Sequence, residues 1–382
     1  MGAGIAQVVA TAGHPVRLLD QDAEALHRAV VTIETHLARL VEKSKLTVPA
    51  AAAALASIQP TTDMRDFADC ALVVEAIVED LAAKQAVFRE VEGIVAADCV
   101  LATNTSSLSI TSIAAACQRP QRFIGIHFFN PAPVMQLVEV VPAVQTRASL
   151  AEEIRVLVQG WDKRPVLAQD TPGFIVNRVA RPFYGEAIRL LEEGIADAPT
   201  IDWALTELGG FRMGPFALMD FIGHDVNYRV TESVFTAFFF DPRYRPSFTQ
   251  KRLFEAGYLG RKSGRGFYNY AADAAPPTPT RDETLGHLVL HRILAMLINE
   301  AADALYLRVA SAEDLELAMT KGVNYPKGLL AWADEWGPEN VLNTLDELYD
   351  TYHEDRYRAS PLLRRLVKAG QPFLQHEPVR TH

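Results

Sequence analysis

Cysteine and positive charge are both scarce in this sequence of 382 residues. Its three cysteines, Cys70, Cys99 and Cys117, are an odd number without metal-binding spacing, so we expect neither a disulfide framework nor a metal site, but a reducing, cytoplasmic location. Lysine and arginine number 37 against 47 aspartates and glutamates, which gives a formal net charge of −10. This charge repels phosphate backbones and anionic lipids, so we expect no nucleic acid or membrane partner.

Long apolar runs and low-complexity stretches are also missing. No uncharged apolar run reaches the ~20 residues that a membrane-spanning helix needs. The apolar start, Gly2–Ala12, has no basic region ahead of it, so we do not interpret it as a secretion signal. Apolar residues make up 49% of the chain and charged residues 22%, which is typical of a globular protein with two or three domains.

Short β-branched runs alternate with helical patterns over the first third of the chain. The predicted strands are Pro15–Leu19, Ala71–Ile77, Val100–Thr103, Arg122–Phe128 and Gln136–Val141. The predicted helices are Asp22–Lys43, Leu81–Val95 and Ile110–Cys117. Such alternation predicts an α/β fold with a mostly parallel sheet covered by helices.

From about Ser149 the pattern becomes helical and predicts further domains. The clearest helical segments are Ala187–Glu193, Ile201–Leu208 and Val230–Phe240. A proline-rich stretch, 271–283, is predicted to be a stiff linker. We therefore predict a dinucleotide-binding domain at 1–170, a helical domain at 171–270 and a second helical domain at 284–370.

An internal repeat connects the two helical parts. Sliding 178–220 onto 292–334, at a constant offset of 114, matches 11 of 43 positions without a gap. The matches include Arg178/Arg292, Glu186/Glu300, Ala187/Ala301, Gly214/Gly328 and Asp220/Asp334. We interpret the pattern as a duplicated helical domain. Because Asn177 aligns with His291, the second copy is structural if Asn177 serves chemistry.

The segment Phe123–Val141 carries the most chemical information. It has the pattern of a strand, a proline-containing turn and a second strand, with His127 ending the first strand and Glu139 inside the second. Apolar residues surround Glu139, so an ionised carboxylate there is costly without a partner, and His127 is the natural one. Such a pair fixes the imidazole tautomer and lets the other nitrogen act as a general base. The alternative is a core histidine bonded to a chance acid.

Polar residues follow two strands of the predicted sheet. The segment Asn104–Ser107 comes directly after the strand that ends at Thr103, and Asn130 lies just past His127. The carboxyl ends of strands form the ligand crevice in open α/β sheets, so we expect these residues to line it. The alternative is that Ser106 and Ser107 are turn or N-cap residues before the next helix.

Seven segments in a fixed order resemble the L-3-hydroxyacyl-CoA dehydrogenase family, in the branch with the 3-hydroxybutyryl-CoA dehydrogenases. The segments are Val16–Asp20, Val74–Glu79, Asn104–Ser107, His127–Pro131, Leu137–Val140, Asp170–Arg178 and Gly214–Phe216. The resemblance covers nearly the whole chain. The part after the linker is similar to longer bacterial members with a second helical domain, including the phenylacetate-pathway enzymes that oxidise 3-hydroxyadipyl-CoA.

The resemblance implies a fold, a reaction and its residues. It implies a Rossmann-type NAD-binding domain followed by duplicated helical domains, and NAD-dependent oxidation of a (3S)-3-hydroxyacyl-CoA in fatty acid β-oxidation or phenylacetate catabolism. His127 would take the hydroxyl proton, and Glu139 would orient His127. Ser106, Asn130 and Asn177 would hold the hydroxyl, the thioester carbonyl or the nicotinamide amide.

The resemblance also implies contacts to the cofactor and to CoA. Asp20 at a strand end would bind the adenosine ribose and favour NAD over NADP, although a helix N-cap is an alternative. Glu79 and Lys84 match positions near the ribose and the amide, and their alternative is a surface pair. Lys43 and Lys45 match where the family meets the CoA phosphates; they are otherwise a solvated charged face.

The sequence departs from the family at its start. Members open with a strand and Gly-x-Gly-x-x-Gly, whereas this sequence aligns from the last glycine, Gly2, onward. We expect either a start codon assigned too late or a real loss of NAD binding; the latter would make the chain a non-catalytic CoA-binding protein. A dehydrogenase of a non-CoA hydroxy acid is a third alternative. We expect an acyl-CoA partner and a homodimer or a pseudo-dimer formed by the repeat.

Overall fold

The computed structural model describes residues 1–275 and 277–374. These residues form two compact units, Met1–Thr171 and Pro172 onward. The predicted linker contains Pro276, which lies outside the described residues. Among the described residues, no helix is long and apolar enough to cross a membrane.

The first unit has seven strands and their covering helices within the described residues. The strands are β1 (Val16–Leu19), β2 (Ile58–Thr61), β3 (Leu72–Glu75), β4 (Val100–Thr103), β5 (Phe123–Phe128), β6 (Leu137–Pro142) and β7 (Arg164–Leu167). The helices are α1 (Gly2–Thr11), α2 (Ala23–Glu42), α3 (Val48–Ala56), α4 (Leu81–Glu92), α5 (Ile110–Ala114) and α6 (Leu150–Gln159). Short 3₁₀ turns occupy Met64–Phe67 and Pro120–Arg122.

The strands of the first unit form two sheets. β1 and β2 pair in parallel, and β3-β4-β5-β6-β7 form a separate five-stranded sheet in that order. Only β5 and β6 pair antiparallel; the other neighbours are parallel. The predicted mostly parallel, helix-covered sheet is confirmed.

Local sequence explains where the first-unit elements begin. Asp22 and Asp80 cap α2 and α4 by accepting hydrogen bonds from the backbone N–H of Glu24 and Ala83. Apolar residues of α1 and α6 pack on the five-stranded sheet. The core residues are Ile5 and Val8 of α1, Ile124 and Ile126 of β5, Val138 and Val140 of β6, and Leu150, Ile154 and Val158 of α6. This packing fixes the ends of β4, β5 and β6.

Three elements of the first unit depart from the predicted pattern. The prediction that only helices follow Ser149 is wrong, because β7 adds a strand to the sheet edge beside β6. The pairing of β2 with β1 and the helix α3 had no counterpart in the prediction. Both missed strands contain proline, Pro60 in β2 and Pro165 in β7, which suits strands at a sheet edge.

The second unit consists mainly of helices in its described residues, and isolated antiparallel β-bridges join Gly260 to Arg265 and Arg265 to Asn269. Its helices are α7 (Val176–Val179), α8 (Arg181–Glu192), α9 (Ala198–Trp203), α10 (Pro215–Ile222), α11 (His224–Ala237), α12 (Phe248–Glu255), α13 (Glu283–Tyr306), α14 (Ala312–Gly322), α15 (Leu329–Trp336), α16 (Pro338–Tyr352) and α17 (Pro361–Ala369). A π-helical segment occupies Ala204–Leu208, and 3₁₀ turns occupy Pro242–Tyr244, Arg261–Ser263 and Asp355–Tyr357. The predicted segments Ala187–Glu193 and Val230–Phe240 begin several residues later than α8 and α11, and Ile201–Leu208 divides between α9 and the π segment.

Buried ion pairs connect the two copies of the repeat crosswise. Arg178 Nε lies 2.6 Å from Glu300 Oε1, and Arg292 Nε lies 2.6 Å from Glu186 Oε1. A tyrosine hydroxyl also donates to each glutamate: Tyr244 donates to Glu300 at 2.5 Å, and Tyr357 donates to Glu186 at 2.8 Å. Each copy therefore neutralises the buried arginine of the other.

Candidate active site

His127 and Glu139 form a buried hydrogen-bonded pair. They lie directly opposite each other in the antiparallel register of β5 and β6. Nδ1 of His127 is 2.7 Å from Oε2 of Glu139, and the residues are 6% and 0% exposed. The neighbours of Glu139 along β6, Val138 and Val140, are fully buried. The predicted contact is thus present, and the imidazole supplies the polar partner that a carboxylate in this core needs.

The segment Asn104–Ser107 follows β4 and is held by one carboxylate. Oε1 of Glu79 accepts hydrogen bonds from Thr105 Oγ1 at 2.5 Å, from the backbone N–H of Ser106 at 3.0 Å and from Ser107 Oγ at 2.9 Å. Burial alone would raise the pKa of Glu79, but these hydrogen bonds and the charge of Lys84 outweigh it and lower the pKa. Ser109, rather than Ser106 or Ser107, is the N-cap of α5.

Lys84 connects the exposed Glu79 to the buried carboxylate of Glu75. Its Nζ lies 2.6 Å from Glu75 Oε1 and 3.3 Å from Glu79 Oε2, and the residue is 1% exposed. Thr103 Oγ1 donates to the other oxygen of Glu75 at 2.7 Å. The alternative of a surface Glu79–Lys84 pair is therefore wrong. Their contacts to a cofactor stay a prediction.

Asp20 lies directly after β1 with an exposed side chain. Its Oδ1 accepts a hydrogen bond from the backbone N–H of Asp22 at 3.0 Å. The N-cap of α2 is Asp22, so the N-cap alternative for Asp20 is wrong. An exposed carboxylate at this strand end fits the ribose of a dinucleotide.

The first turn of α1 also fits a dinucleotide. A Cβ built on Gly2 would meet only the Ala76 methyl group, at 3.9 Å, so packing does not require a glycine there. Close approach of a ligand to the backbone is another reason for glycine. A cavity of about 190 Å³ opens beside this turn, and its lining includes Asn130 and Gln7. Gln7 is 3% exposed, and its Oε1 has no hydrogen-bond partner among the described residues.

Three predicted residues remain, Lys43 and Lys45 in the first unit and Asn177 in the second. Lys43 and Lys45 follow α2, are exposed, and form no ion pair within the described part of the chain. Asn177 is half-buried on α7 of the second unit. Phosphate contacts by the two lysines and a substrate contact by Asn177 stay predictions.

The sequence did not predict three hydrogen-bonding contacts that hold the site in place, made by Glu75, Asn104 and Asp170. Glu75 anchors Lys84, as described above. Asn104 Oδ1 accepts from the backbone N–H of Phe128 at 2.8 Å, next to His127, and Asp170 Oδ2 accepts from the backbone N–H of Thr111 at 2.7 Å. Glu75 had a usable signal, since it is an acid inside an apolar strand, as Glu139 is.

The sequence matches two domain families over most of its length. Residues 1–171 match the family described as 3-hydroxyacyl-CoA dehydrogenase, NAD binding domain. Residues 173–270 and again 288–375 match the family described as 3-hydroxyacyl-CoA dehydrogenase, C-terminal domain. The second family therefore matches twice, at the two copies of the repeat.

Known proteins resemble the chain along its whole length. It is 39% identical to 3-hydroxyadipyl-CoA dehydrogenase of Escherichia coli K12, over 97% of this chain and 96% of that protein. It is 45% identical to a probable 3-hydroxybutyryl-CoA dehydrogenase of Deinococcus radiodurans, over 71% of this chain and 96% of that protein. The crystal structure of 3-hydroxybutyryl-CoA dehydrogenase from E. coli K12 superposes with a TM-score of 0.91 at 38% identity, covering 97% of both chains.

The Rossmann-like domain and the helical unit define an NAD-dependent oxidoreductase. More narrowly, the chain belongs to the 3-hydroxyacyl-CoA dehydrogenase family. The family resemblance seen in the sequence and the expected cofactor, NAD, are both confirmed.

Proposed function

We propose that the chain oxidises a (3S)-3-hydroxyacyl-CoA to the 3-ketoacyl-CoA, with His127 as the general base and Glu139 as its partner. The observation that carries the proposal is the 2.7 Å hydrogen bond between His127 Nδ1 and Glu139 Oε2. With Glu139 accepting at Nδ1, the neutral imidazole has its basic lone pair on Nε2. The carboxylate then stabilises the imidazolium that forms when the hydroxyl proton arrives.

Three polar side chains would position the reacting groups. Ser106, Asn130 and Asn177 would hold the hydroxyl, the thioester carbonyl or the nicotinamide amide. Ser106 suits this role because Glu79 ties its backbone N–H at 3.0 Å, which limits the freedom of the loop. Donors held in place before reaction stabilise the developing carbonyl without reorganisation.

NAD, when bound, supplies the hydride acceptor that no side chain can provide. Gly2 and Asp20 would hold the adenosine and pyrophosphate side. Asp20 would also disfavour a ribose 2′-phosphate by charge repulsion. Glu79, Lys84, Ser106 and Asn130 would line the nicotinamide side, with Lys84 acting through Glu79 because it is buried.

The substrate would be carried as a CoA thioester. Lys43 and Lys45 are exposed cations suited to the CoA phosphates. The E. coli and D. radiodurans relatives are named for 3-hydroxyadipyl-CoA and 3-hydroxybutyryl-CoA. Breakdown of fatty acids or of phenylacetate fits both names. A cytoplasmic location fits the free cysteines, two of them buried.

The second helical repeat would take the place of a partner subunit. The notion of a pseudo-dimer is supported by the crosswise pairs Arg178–Glu300 and Arg292–Glu186, which have the reciprocity of a twofold interface. We further propose the division into domains 1–170, 171–270 and 284–370, with the last two domains packed as one unit.

Steady-state kinetics with NAD and (3S)-3-hydroxybutyryl-CoA test the proposal. Replacing His127 by Ala should lower kcat by about 10²–10⁴-fold, while the Kd for NAD changes little. Glu139→Gln should slow turnover as well, because it removes the charge that supports the imidazolium. Near-normal turnover of His127→Ala would contradict the base role. If the unaltered chain binds acetoacetyl-CoA but shows no turnover, the result would support the alternative of a non-catalytic CoA-binding protein. If it oxidises only hydroxy acids that are not CoA thioesters, the result would support the alternative of a non-CoA hydroxy acid dehydrogenase.

A further inference from the structure

Arg181 is a buried cation without a carboxylate partner among the residues that the structure describes. It begins α8 and is 8% exposed. Its Nη1 donates to Thr231 Oγ1 at 3.2 Å, and its guanidinium carbon lies 4.9 Å from the centre of the Tyr184 ring. Its Nε has no hydrogen-bond partner in the described part of the chain. Burial lowers the pKa of Arg181, which is the expected effect of an uncompensated charge.

The other buried arginines among the described residues all have an acid. Arg122 pairs with Glu92, Arg178 with Glu300, Arg292 with Glu186 and Arg356 with Glu354, at nitrogen–oxygen distances between 2.6 and 3.3 Å. Buried charges are costly unless they are paired, and native structures rarely leave them alone. The exception at Arg181 therefore points to an anion that comes from outside the chain.

A second unpartnered polar group lies beside Arg181. Tyr325 is 6% exposed, its hydroxyl has no hydrogen-bond partner among the residues described, and it is close enough to interact with the charge of Arg181. The Tyr325 ring lies 5.7 Å from that of Phe183 and 5.0 Å from that of Phe211, measured between ring centres. A guanidinium and a phenol within an aromatic environment are suited to bind one carboxylate. The Thr231 hydroxyl donates to the backbone oxygen of Asn227 at 3.0 Å, so it only accepts from Arg181.

The position of Arg181 in the fold links this cluster to the substrate. Arg181 follows Asn177 by four residues, with only Ala180 between α7 and α8, and that spacing brings two side chains to one face of a helix. One helical turn is ~5.4 Å, a span that a few carbons of an acyl chain can bridge. In the second copy of the repeat the equivalent residue is Ala295, which is fully buried and apolar. The cation is thus confined to the copy that carries Asn177.

We propose that Arg181, together with Tyr325, binds a carboxylate at the far end of a short acyl chain. The preferred substrates are then ω-carboxylated 3-hydroxyacyl-CoAs, in which the carboxylate neutralises the positive charge of the buried arginine. This inference rests on the proposed oxidation of 3-hydroxyacyl-CoA, and it names the charge and the length class of the acyl group.

Two substrates of matched carbon number test the inference. We would measure kcat/KM for 3-hydroxyadipyl-CoA and for 3-hydroxyhexanoyl-CoA, and express the preference as their ratio. The unaltered chain should prefer the carboxylated substrate by about 10²-fold or more, since a buried charge-assisted pair is at stake. Arg181→Met should lower the ratio by about the same factor, whereas Arg189→Met, a control on the same helix whose side chain pairs with Glu354, should leave it unchanged.

Direct binding provides a readout that does not need turnover. Calorimetric titration should give a Kd for adipyl-CoA at least 10-fold below that for hexanoyl-CoA, and Tyr325→Phe should reduce this difference about threefold even if Arg181→Met fails to fold. Equal affinities in the unaltered chain, or an unchanged ratio in Arg181→Met, would overturn the inference. Failure of the unaltered chain to oxidise either substrate would instead count against the proposed function.

Discussion

The two copies of the helical repeat share the residues that hold the fold together. Each copy contributes one arginine and one glutamate to a crosswise buried pair, Arg178–Glu300 and Arg292–Glu186. A carboxylate also caps the equivalent helix in each copy: Asp202 accepts from the backbone N–H of Phe216, and Glu316 accepts from that of Leu330. Asp220 and Asp334 likewise accept from the backbone N–H groups of Phe267 and Phe373.

The copies differ where the first one is predicted to meet substrate. Asn177 is replaced by His291, whose ring stacks on Trp336 with 4.6 Å between ring centres. The buried Arg181 is replaced by Ala295. Duplication thus preserved the buried ion pairs and helix caps, while the polar residues Asn177 and Arg181 occur only in the first copy. Residues that both copies share therefore serve structure, and residues confined to one copy are candidates for chemistry.

Removing either crosswise carboxylate is expected to have the largest effect on stability. Glu300→Gln leaves the buried Arg178 without its acid, which costs about 3–5 kcal/mol of unfolding free energy. In the other copy Glu186→Gln is combined with Glu193→Gln, because Arg292 also pairs with Glu193 at 2.8 Å. Denaturant titrations of both variants should give similar losses. Asp346→Asn, which removes an exposed pair with Arg364, is the control and should cost below ~1 kcal/mol. A loss in only one of the two variants would break the equivalence of the copies.

Substitutions at Asn177 and His291, the equivalent positions at which the copies differ, should separate the copies by their effect on catalysis. Asn177→Ala should lower kcat by about 10²–10³-fold, the usual effect of removing a positioned hydrogen-bonding group. His291→Ala, at the equivalent position, should leave kcat within about twofold, because its ring packs on Trp336 and His287 within the second copy. Steady-state rates with NAD and 3-hydroxybutyryl-CoA check both variants. Equal losses at the two positions would mean that the second copy also serves the reaction.

The cap carboxylates should give the smallest effect, visible as a pH dependence. Burial raises the pKa of Asp202 to about 6, and burial also raises the pKa of Glu316. Because the folded pKa exceeds the unfolded one, the folded state binds more protons, and stability from this group falls as pH rises from about 4 to about 6. Asp202→Asn removes this titration, so its unfolding free energy should gain about 2 kcal/mol relative to the unaltered chain over that interval.

Denaturation at several pH values measures this difference directly. Glu316→Gln is the matched variant in the second copy and should shift in the same direction. A difference between Asp202→Asn and the unaltered chain that stays constant from pH 4 to pH 7 would contradict the raised pKa and the shared role of the two caps.

The sheet of the first unit was largely predictable because its strands are apolar and alternate with capped helices. The contact between His127 and Glu139 was also predictable, since an acid inside an apolar strand requires a partner nearby. β2 and β7 were not, because each has four residues and a proline, which resembles a loop in the sequence.

The sequence could not predict which buried charged residues pair with an oppositely charged residue and which do not. Nothing in the order of residues distinguishes Arg181, which has no acid within the described part of the chain, from Arg178, which pairs with Glu300. The distinction depends on which side chains folding brings within hydrogen-bonding distance. Lys84 shows the same limit: its helix-start position left a surface pair open as the alternative to a cofactor contact, whereas folding buries Lys84 between Glu75 and Glu79.

The shared lysine between Glu75 and Glu79 constrains how this sequence can evolve. Loss of Lys84 would leave the neighbouring carboxylates of Glu75 and Glu79 without a cation between them. Loss of Glu75 would leave Glu79 alone to pair with Lys84, although Glu79 also holds the segment after β4. Single substitutions at any of the three positions are thus penalised more than joint replacement of all three. Homologous sequences should therefore retain the trio intact or exchange it as a block, which makes it an epistatic unit.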